Sequence, residues 1–258
     1  SCSVGDDDDS AVGDDDDSAV GDDDDSALGD DDDSALGDDD DSALGDDDDS
    51  ALGDDDDSAV GPFVTEILAA VGTPPSNQGW VITLNGPESG DFGDGDSTSN
   101  GAAPSGGITD PSWGIWAHAS SRVDASLTLP GGPLNPTEQL SMEFDPGYVD
   151  FGGQVGIELK GGGAVGFSAY FDGGAAQWLV FCGLGNLPSG IGFTADGLSV
   201  GLVQDGAGQI TVVVEGAPAL ALPLGNGVQW IDEINVFNAG AGTGSDHDLF
   251  FNDVIITR

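Results

Sequence analysis

Val123-Asp124-Ala125-Ser126-Leu127-Thr128-Leu129, closed by Pro130-Gly131-Gly132-Pro133, shows in miniature how most of this chain is written. It is a short β-rich run ended by residues that break regular structure. Ten more runs share the pattern: Trp80–Leu84, Trp113–Ala119, Leu140–Phe144, Val155–Leu159, Val165–Phe171, Trp178–Phe181, Leu198–Val203, Ile210–Glu215, Ile231–Phe237 and Leu249–Thr257. Gly, Pro, Asn and Asp separate them, and no long helical pattern intervenes. Short runs at this spacing predict an all-β fold, an antiparallel β-sandwich or jelly roll, over residues 78–258.

The chain has 258 residues, and about 198 remain once its first sixty are set aside, ample for one sandwich with a sizeable core. Arg122, Lys160 and Arg258 are its only Lys or Arg residues, against 49 Asp and Glu, a formal net charge of −46. Phosphate backbones and anionic membrane surfaces would be repelled, so nucleic-acid binding is excluded as a reading. The partners this charge suits are divalent cations, neutral glycans and copies of the chain itself bridged by cations. No run approaches 18 consecutive apolar residues, so no transmembrane segment is expected. The Ser1-Cys2-Ser3 start reads as a mature terminus left by a removed signal peptide. Scarce Lys and abundant Gly, Asp, Asn, Ser and Thr suit an extracellular or cell-surface bacterial protein.

Residues 1–61 carry a different text. Seven copies of Gly-Asp-Asp-Asp-Asp-Ser-Ala-(Val/Leu) run from Gly5 to Val60, varying only between Val and Leu at the eighth place. On an α-helix the eighth residue would spiral about 80° per repeat, and Asp and Gly are poor helix formers. An even period keeps every Val or Leu on one face of an extended strand, or of a roll with one strand and one turn per octad. The carboxylates are Asp6, Asp7, Asp8, Asp9, Asp14, Asp15, Asp16, Asp17, Asp22, Asp23, Asp24, Asp25, Asp30, Asp31, Asp32 and Asp33 in the first four copies. Asp38, Asp39, Asp40, Asp41, Asp46, Asp47, Asp48, Asp49, Asp54, Asp55, Asp56 and Asp57 fill the last three. Four adjacent carboxylates repel unless neutralised or kept in water, and calcium, which takes about six to eight oxygen ligands, is the natural neutraliser. Calcium is therefore the expected cofactor, and the alternative is a solvated acidic spacer. Ser10, Ser18, Ser26, Ser34, Ser42, Ser50 and Ser58 recur at one place in each octad, as turn residues or as O-glycosylation acceptors. The tract distantly resembles the calcium-binding nonapeptide β-roll of secreted RTX proteins, with eight residues and one glycine in place of nine and several.

Gly61-Pro62 closes the repeats, and residues 62–77 read as a linker holding a short helix or an edge strand. Beyond it, four stretches carry a resemblance. They are Ser112–Ala117, Met142–Gly153, Gly190–Leu198, and Phe237-Asn238 with Asp248–Asp253. Together they resemble secreted bacterial jelly-roll domains, similar in build to concanavalin-like and carbohydrate-binding modules. The resemblance implies that fold and an extracellular address, and assigns no catalytic residue.

No catalytic constellation emerges. His118 and His247 are the only histidines, and there is no nucleophile elbow, HExxH helix or phosphate loop. Glu143 and Asp145 share a strand face, but Tyr148 stands where laminarinase-like jelly rolls carry their second Glu. The chain is read as a non-enzyme. For metals, Asp91, Asp94 and Asp96 fall within six residues of a glycine-rich loop that reads as a calcium loop or as a solvated turn, with Asp246, Asp248 and Asp253 a weaker set. For glycans, Trp113 and Trp116 have opposite strand parity, so one should face outward and offer a stacking surface. Cys2 and Cys182, the only cysteines, are candidates for a disulfide within or between chains. Two functions follow. The main reading is a structural subunit of an extracellular filament, self-assembled through calcium-binding repeats; the alternative is a lectin-like carbohydrate-binding module on an acidic stalk.

Overall fold

The computed structural model describes residues 65–67, 75–95, 108, 112–193, 198–214 and 217–258. All belong to one compact unit, Asp56–Arg258. Their strands are β1 (Thr65–Ile67), β2 (Val81–Asn85), β3 (Ser89–Gly95), β4 (Ser112–Ala117), β5 (Arg122–Thr128), β6 (Gln139–Asp145), β7 (Gln154–Gly161) and β8 (Ala164–Asp172). They continue with β9 (Gln177–Cys182), β10 (Gly185–Gly192), β11 (Leu198–Gly206), β12 (Gln209–Val214), β13 (Leu220–Pro223), β14 (Glu233–Ala239) and β15 (Leu249–Thr257).

Two antiparallel sheets face each other. Sheet A runs β13-β12-β11-β6-β15-β4-β3, with β1 pairing the far end of β15, Thr65 opposite Thr257. Sheet B runs β10-β9-β8-β7-β14-β5-β2. Each sheet joins strands distant in sequence at its centre, β6 with β11 and β15 in sheet A and β7 with β14 in sheet B, which a simple meander does not do. Strand alternation builds the core: Val123, Ala125 and Leu127 of β5 point inward and are buried, while Arg122, Asp124 and Ser126 point out. From sheet A, Ile115, Leu140, Phe144 and Phe251 meet Ile157, Leu159, Phe167 and Ile234 of sheet B. Each such side chain, fully buried, stabilises the fold by roughly 1.5–3 kcal/mol.

The outer face of sheet B gathers charge. Arg122 reaches Asp124 at 2.6 Å and Glu158 at 3.2 Å, and Lys160 reaches Glu233 at 2.9 Å. Arg258 pairs with Glu138 at 2.9 Å, so each Lys and Arg of the chain is committed to a carboxylate. At one margin of the sandwich both edge strands carry proline, Pro188 in β10 and Pro223 in β13.

Each of the eleven runs read from sequence is a strand here. One expectation is corrected. Asp91 and Asp94 were placed in a loop, but Ser89–Gly95 is strand β3, paired with β4 and shifted by a bulge between Phe92 and Asp94. Glycine hid it: β3 is Ser-Gly-Asp-Phe-Gly-Asp-Gly and draws its pairing from β4 rather than from its own composition. The same holds for β10, Gly-Asn-Leu-Pro-Ser-Gly-Ile-Gly, whereas β13, Leu-Ala-Leu-Pro, is only four residues long and ends in proline. Thr65–Ile67, left between helix and edge strand, is a strand. Among the described residues no helix is long and apolar enough to cross a membrane.

Candidate functional site

Four connections meet at one end of the sandwich: the β4–β5 turn, the β6–β7 loop, the β8–β9 turn and the β14–β15 loop. Backbone hydrogen bonds tie them together. Asp150 N–H donates to Ala241 O at 2.6 Å, Tyr148 N–H to Asp246 O at 2.8 Å, and Gly173 N–H to Gly153 O at 2.8 Å. The approach is close enough to demand glycine. Gly147 has φ +58°, and a Cβ there would lie 2.7 Å from Asp246 O and 2.8 Å from Asp248 O. Buried Asp145 ends β6 by accepting the Gly147 N–H at 3.0 Å, which turns the chain into this loop. Asn238, fully buried, donates to His247 O at 3.1 Å and Ile115 O at 3.4 Å and accepts from Ala241 N–H at 3.3 Å. One side chain thereby fixes the β14–β15 loop to the end of β4.

The rim so built encloses a pocket of about 380 Å³, bordered by Ser120, Asp150, Phe151, Gly240 and Thr243. Phe151 is 95 % exposed, standing on the Asp150-Phe151-Gly152-Gly153 turn. Its ring leans across Gly174, where a Cβ would come within 2.8 Å of Cδ2. Asp150 turns its carboxylate outward beside it, two-thirds exposed at 67 %. His247 steadies that carboxylate: Nε2 lies 3.3 Å from Asp150 Oδ1 while Nδ1 lies 2.8 Å from Asp246 Oδ1. The imidazole lies against Gly242, which leaves no room for a Cβ. Burial, and then the neighbouring Asp246 carboxylate, push the Asp248 carboxyl up to about 7, and His247 only partly offsets them. Asp248 is not among the residues bordering the pocket.

Chemically this is an exposed aromatic face, a carboxylate, three hydroxyls and the polar edges of glycine-rich backbone. Such a set can accept and donate hydrogen bonds to a polyhydroxylated ligand while covering one apolar face of it. A larger groove of about 660 Å³ crosses the outer face of sheet A past Ser141, Glu143 and Asp253, but no aromatic side chain lines it.

The residues singled out from sequence are scattered. Trp113 is core, 2 % exposed, whereas Trp116 lies on the outer face of sheet A above Gly90. The Trp116 ring centroid is 4.9 Å from that of His118, whose Nδ1 is 3.8 Å from Glu88 Oε2. Asp246 and Asp248 belong to the rim, but Asp253 does not join them. It sits at the bulge of β15, with φ 46°, and burial and Glu143 raise its carboxyl. Among the described residues no three His, Cys, Asp or Glu side chains converge as a metal ion would need. Cys182 is buried and unbonded to another cysteine; its Sγ accepts the Leu184 N–H at 3.4 Å. The repeat aspartates 6–57, the serines 10–58, Cys2 and Asp96 lie outside the described residues. Phe151 does not stand out in the sequence, because it lies inside the Met142–Gly153 stretch that carries the fold resemblance. Its signal was there: one aromatic between Asp and Gly-Gly, in a turn too tight to bury it.

No known family matches this sequence, and no curated protein does. Among solved structures, a sialidase overlays with a TM-score of 0.54 at 10% identity, covering 75% of this chain and 18% of the sialidase. This chain thus spans less than a fifth of that protein's length. A carbohydrate esterase from Shiga toxin-encoding bacteriophage phi24B overlays with a TM-score of 0.49 at 15% identity, covering 75% of this chain and 95% of the esterase. A tetrameric galectin from the ball sponge Cinachyrella gives 0.39 at 12% identity, over 52% of this chain and 98% of the galectin. The sialidase overlay is a likeness of fold, and the two below 0.5 add nothing to it.

Proposed function

We propose that the sandwich is a carbohydrate-binding module and that the rim pocket holds a neutral sugar. Phe151 carries the reading: an aromatic side chain 95 % exposed beside a held carboxylate, over a pocket of about 380 Å³. An aromatic face in water gains by covering the C–H face of a pyranose, about 1–2 kcal/mol if half the ring is buried. Asp150 accepts sugar hydroxyls in charge-assisted hydrogen bonds, and Ser120 and Thr243 serve the remaining ones. A chain of net charge −46 disfavours anionic sugars, so the ligand is neutral. The volume suits one or two sugar rings, near the lower end of ordinary ligand pockets.

On this reading the protein binds without cleaving, and the repeats form a calcium-loaded acidic stalk that holds the module away from a cell surface. The filament reading draws on the repeats alone and gives the rim no task. The deciding experiment is a screen of the full chain against neutral and anionic glycans, followed by calorimetry on hits. Neutral glycans should bind, and Phe151→Ala and Asp150→Asn should each weaken them at least tenfold. Both side chains are exposed, so the thermal midpoint should hold. Affinity unchanged in both variants removes the rim from the function.

A further inference from the structure

A second cavity opens between the sheets, at the margin where β9 and β10 face β11, β12 and β13. It measures about 330 Å³ and is walled by Phe144, Trp178, Val180, Val200, Val212 and Leu220. Ala169 lines it where a larger residue would fill it, and exposed Gly190, Pro218 and Ala219 border its outer edge. An apolar cavity of about 150 Å³ stays dry and takes up one benzene. This one has roughly twice that volume, enough for two fused rings or an aliphatic chain of like bulk.

Two polar side chains, Trp178 and Ser189, interrupt the apolar wall. Trp178 is 4 % exposed, and its indole Nε1–H has no acceptor among the described residues. A buried donor left without a partner is costly, so such a group calls for an explanation. Trp113 Nε1 is also unpaired, but Trp113 borders no such cavity. Ser189 Oγ accepts the Ile191 N–H at 3.0 Å, which leaves its own hydroxyl hydrogen to give. Both polar groups at the cavity thus offer hydrogens. Among the described residues no Lys, Arg or His lines it, so a bound carboxylate would be buried without a counter-charge.

We infer that this inter-sheet cavity binds a neutral, largely apolar small molecule of about two-ring bulk, carrying a carbonyl-type acceptor for the Trp178 indole. The rim takes sugars by their hydroxyls; this cavity takes the opposite class of ligand, at a different margin.

Calorimetric titration of the full chain with three probes tests it: 2-acetonaphthone, a neutral two-ring ketone; naphthalene, which lacks the acceptor; and 2-naphthoate, its anionic relative. The ketone should bind saturably at one site, about three- to tenfold tighter than naphthalene, the value of one hydrogen bond. It should bind at least ten times tighter than 2-naphthoate. Trp178→Phe keeps an aromatic wall and should erase the difference between ketone and naphthalene. Ala169→Leu fills the cavity and should abolish binding of both without lowering the thermal midpoint. Should that variant fail to fold, Ala217→Leu at the half-buried edge makes the same test. Absence of saturable ketone binding, equal affinity for 2-naphthoate, or binding that survives in the filled variants overturns the proposal.

Discussion

His247 Nε2 stands 3.3 Å from Asp150 Oδ1, joining residues 97 positions apart in the chain. Held from its other side by Asp246, the ring is a strut that sets the direction of the one carboxylate the pocket offers. His247→Ala should therefore weaken glycan binding by roughly three- to tenfold without touching the ligand, since one orienting hydrogen bond is lost. His247→Gln, which can still donate to Asp150, should recover part of it. Calorimetry on the three proteins reads this; equal affinities would mean that Asp150 needs no support.

Asp248 gives stability a pH dependence. Its carboxyl, raised to about 7 in the folded chain against 3.8 when unfolded, holds a proton that the unfolded chain has released between those values. Stability must then fall as pH rises from 4 to 7 and level off above. Asp248→Asn, which carries no titrating carboxyl, should flatten that slope and stabilise the protein at pH 8. Urea unfolding at pH 4.5 and pH 8 measures both.

The opposite sign belongs to Asp124. Burial alone would raise its carboxyl, but hydrogen bonds from Arg122 and Asn235 outweigh burial and hold it below the usual range. That contribution is present above pH 4 and lost as pH drops through the folded value. Arg122 also lies 4.4 Å from the Phe237 ring centroid. Arg122→Met should cost about 2–3 kcal/mol at neutral pH, because it strands Asp124 and Glu158 together, and visibly less at pH 3. A cost that does not vary with pH would assign the effect to packing.

Calcium should act on the repeats and spare the sandwich. Excess chelator should expand the full chain in small-angle scattering and expose residues 5–60 to protease, while the near-ultraviolet signal of the core tryptophans stays fixed. Identical scattering with calcium and with chelator would leave the repeats a plain solvated spacer.

The sandwich was legible because Val, Ile, Leu and Phe recur in short runs, and runs such as 123–129 alternate cleanly. What escaped was written in glycine. β3 and β10 have too few β-formers to announce a strand and are held by the partners they pair with, β4 and β9. The site escaped for a related reason. Its parts come from four loops, and the contact of His247 with Asp150 or of Gly153 with Gly173 depends on how the two sheets bring their ends together. Trp113 and Trp116 drew attention by size. The rim instead presents Phe151, which matters through its exposure, a property that composition does not encode.

Pro188 and Pro223 have a further consequence. Each leaves a gap in the row of amide hydrogens that an added strand would need, and they do so on both sheets at the same margin. Among the described residues the other margin has no such guard: β2 and β3 contain no proline, and β2 shows Val81 at 61 % and Leu84 at 51 % exposure. An added strand would thus find open amide hydrogens at β2 and an interrupted row at β10 and β13. Two copies meeting through β2 would turn their proline-bearing edges outward, and a growing ribbon would end at the pair.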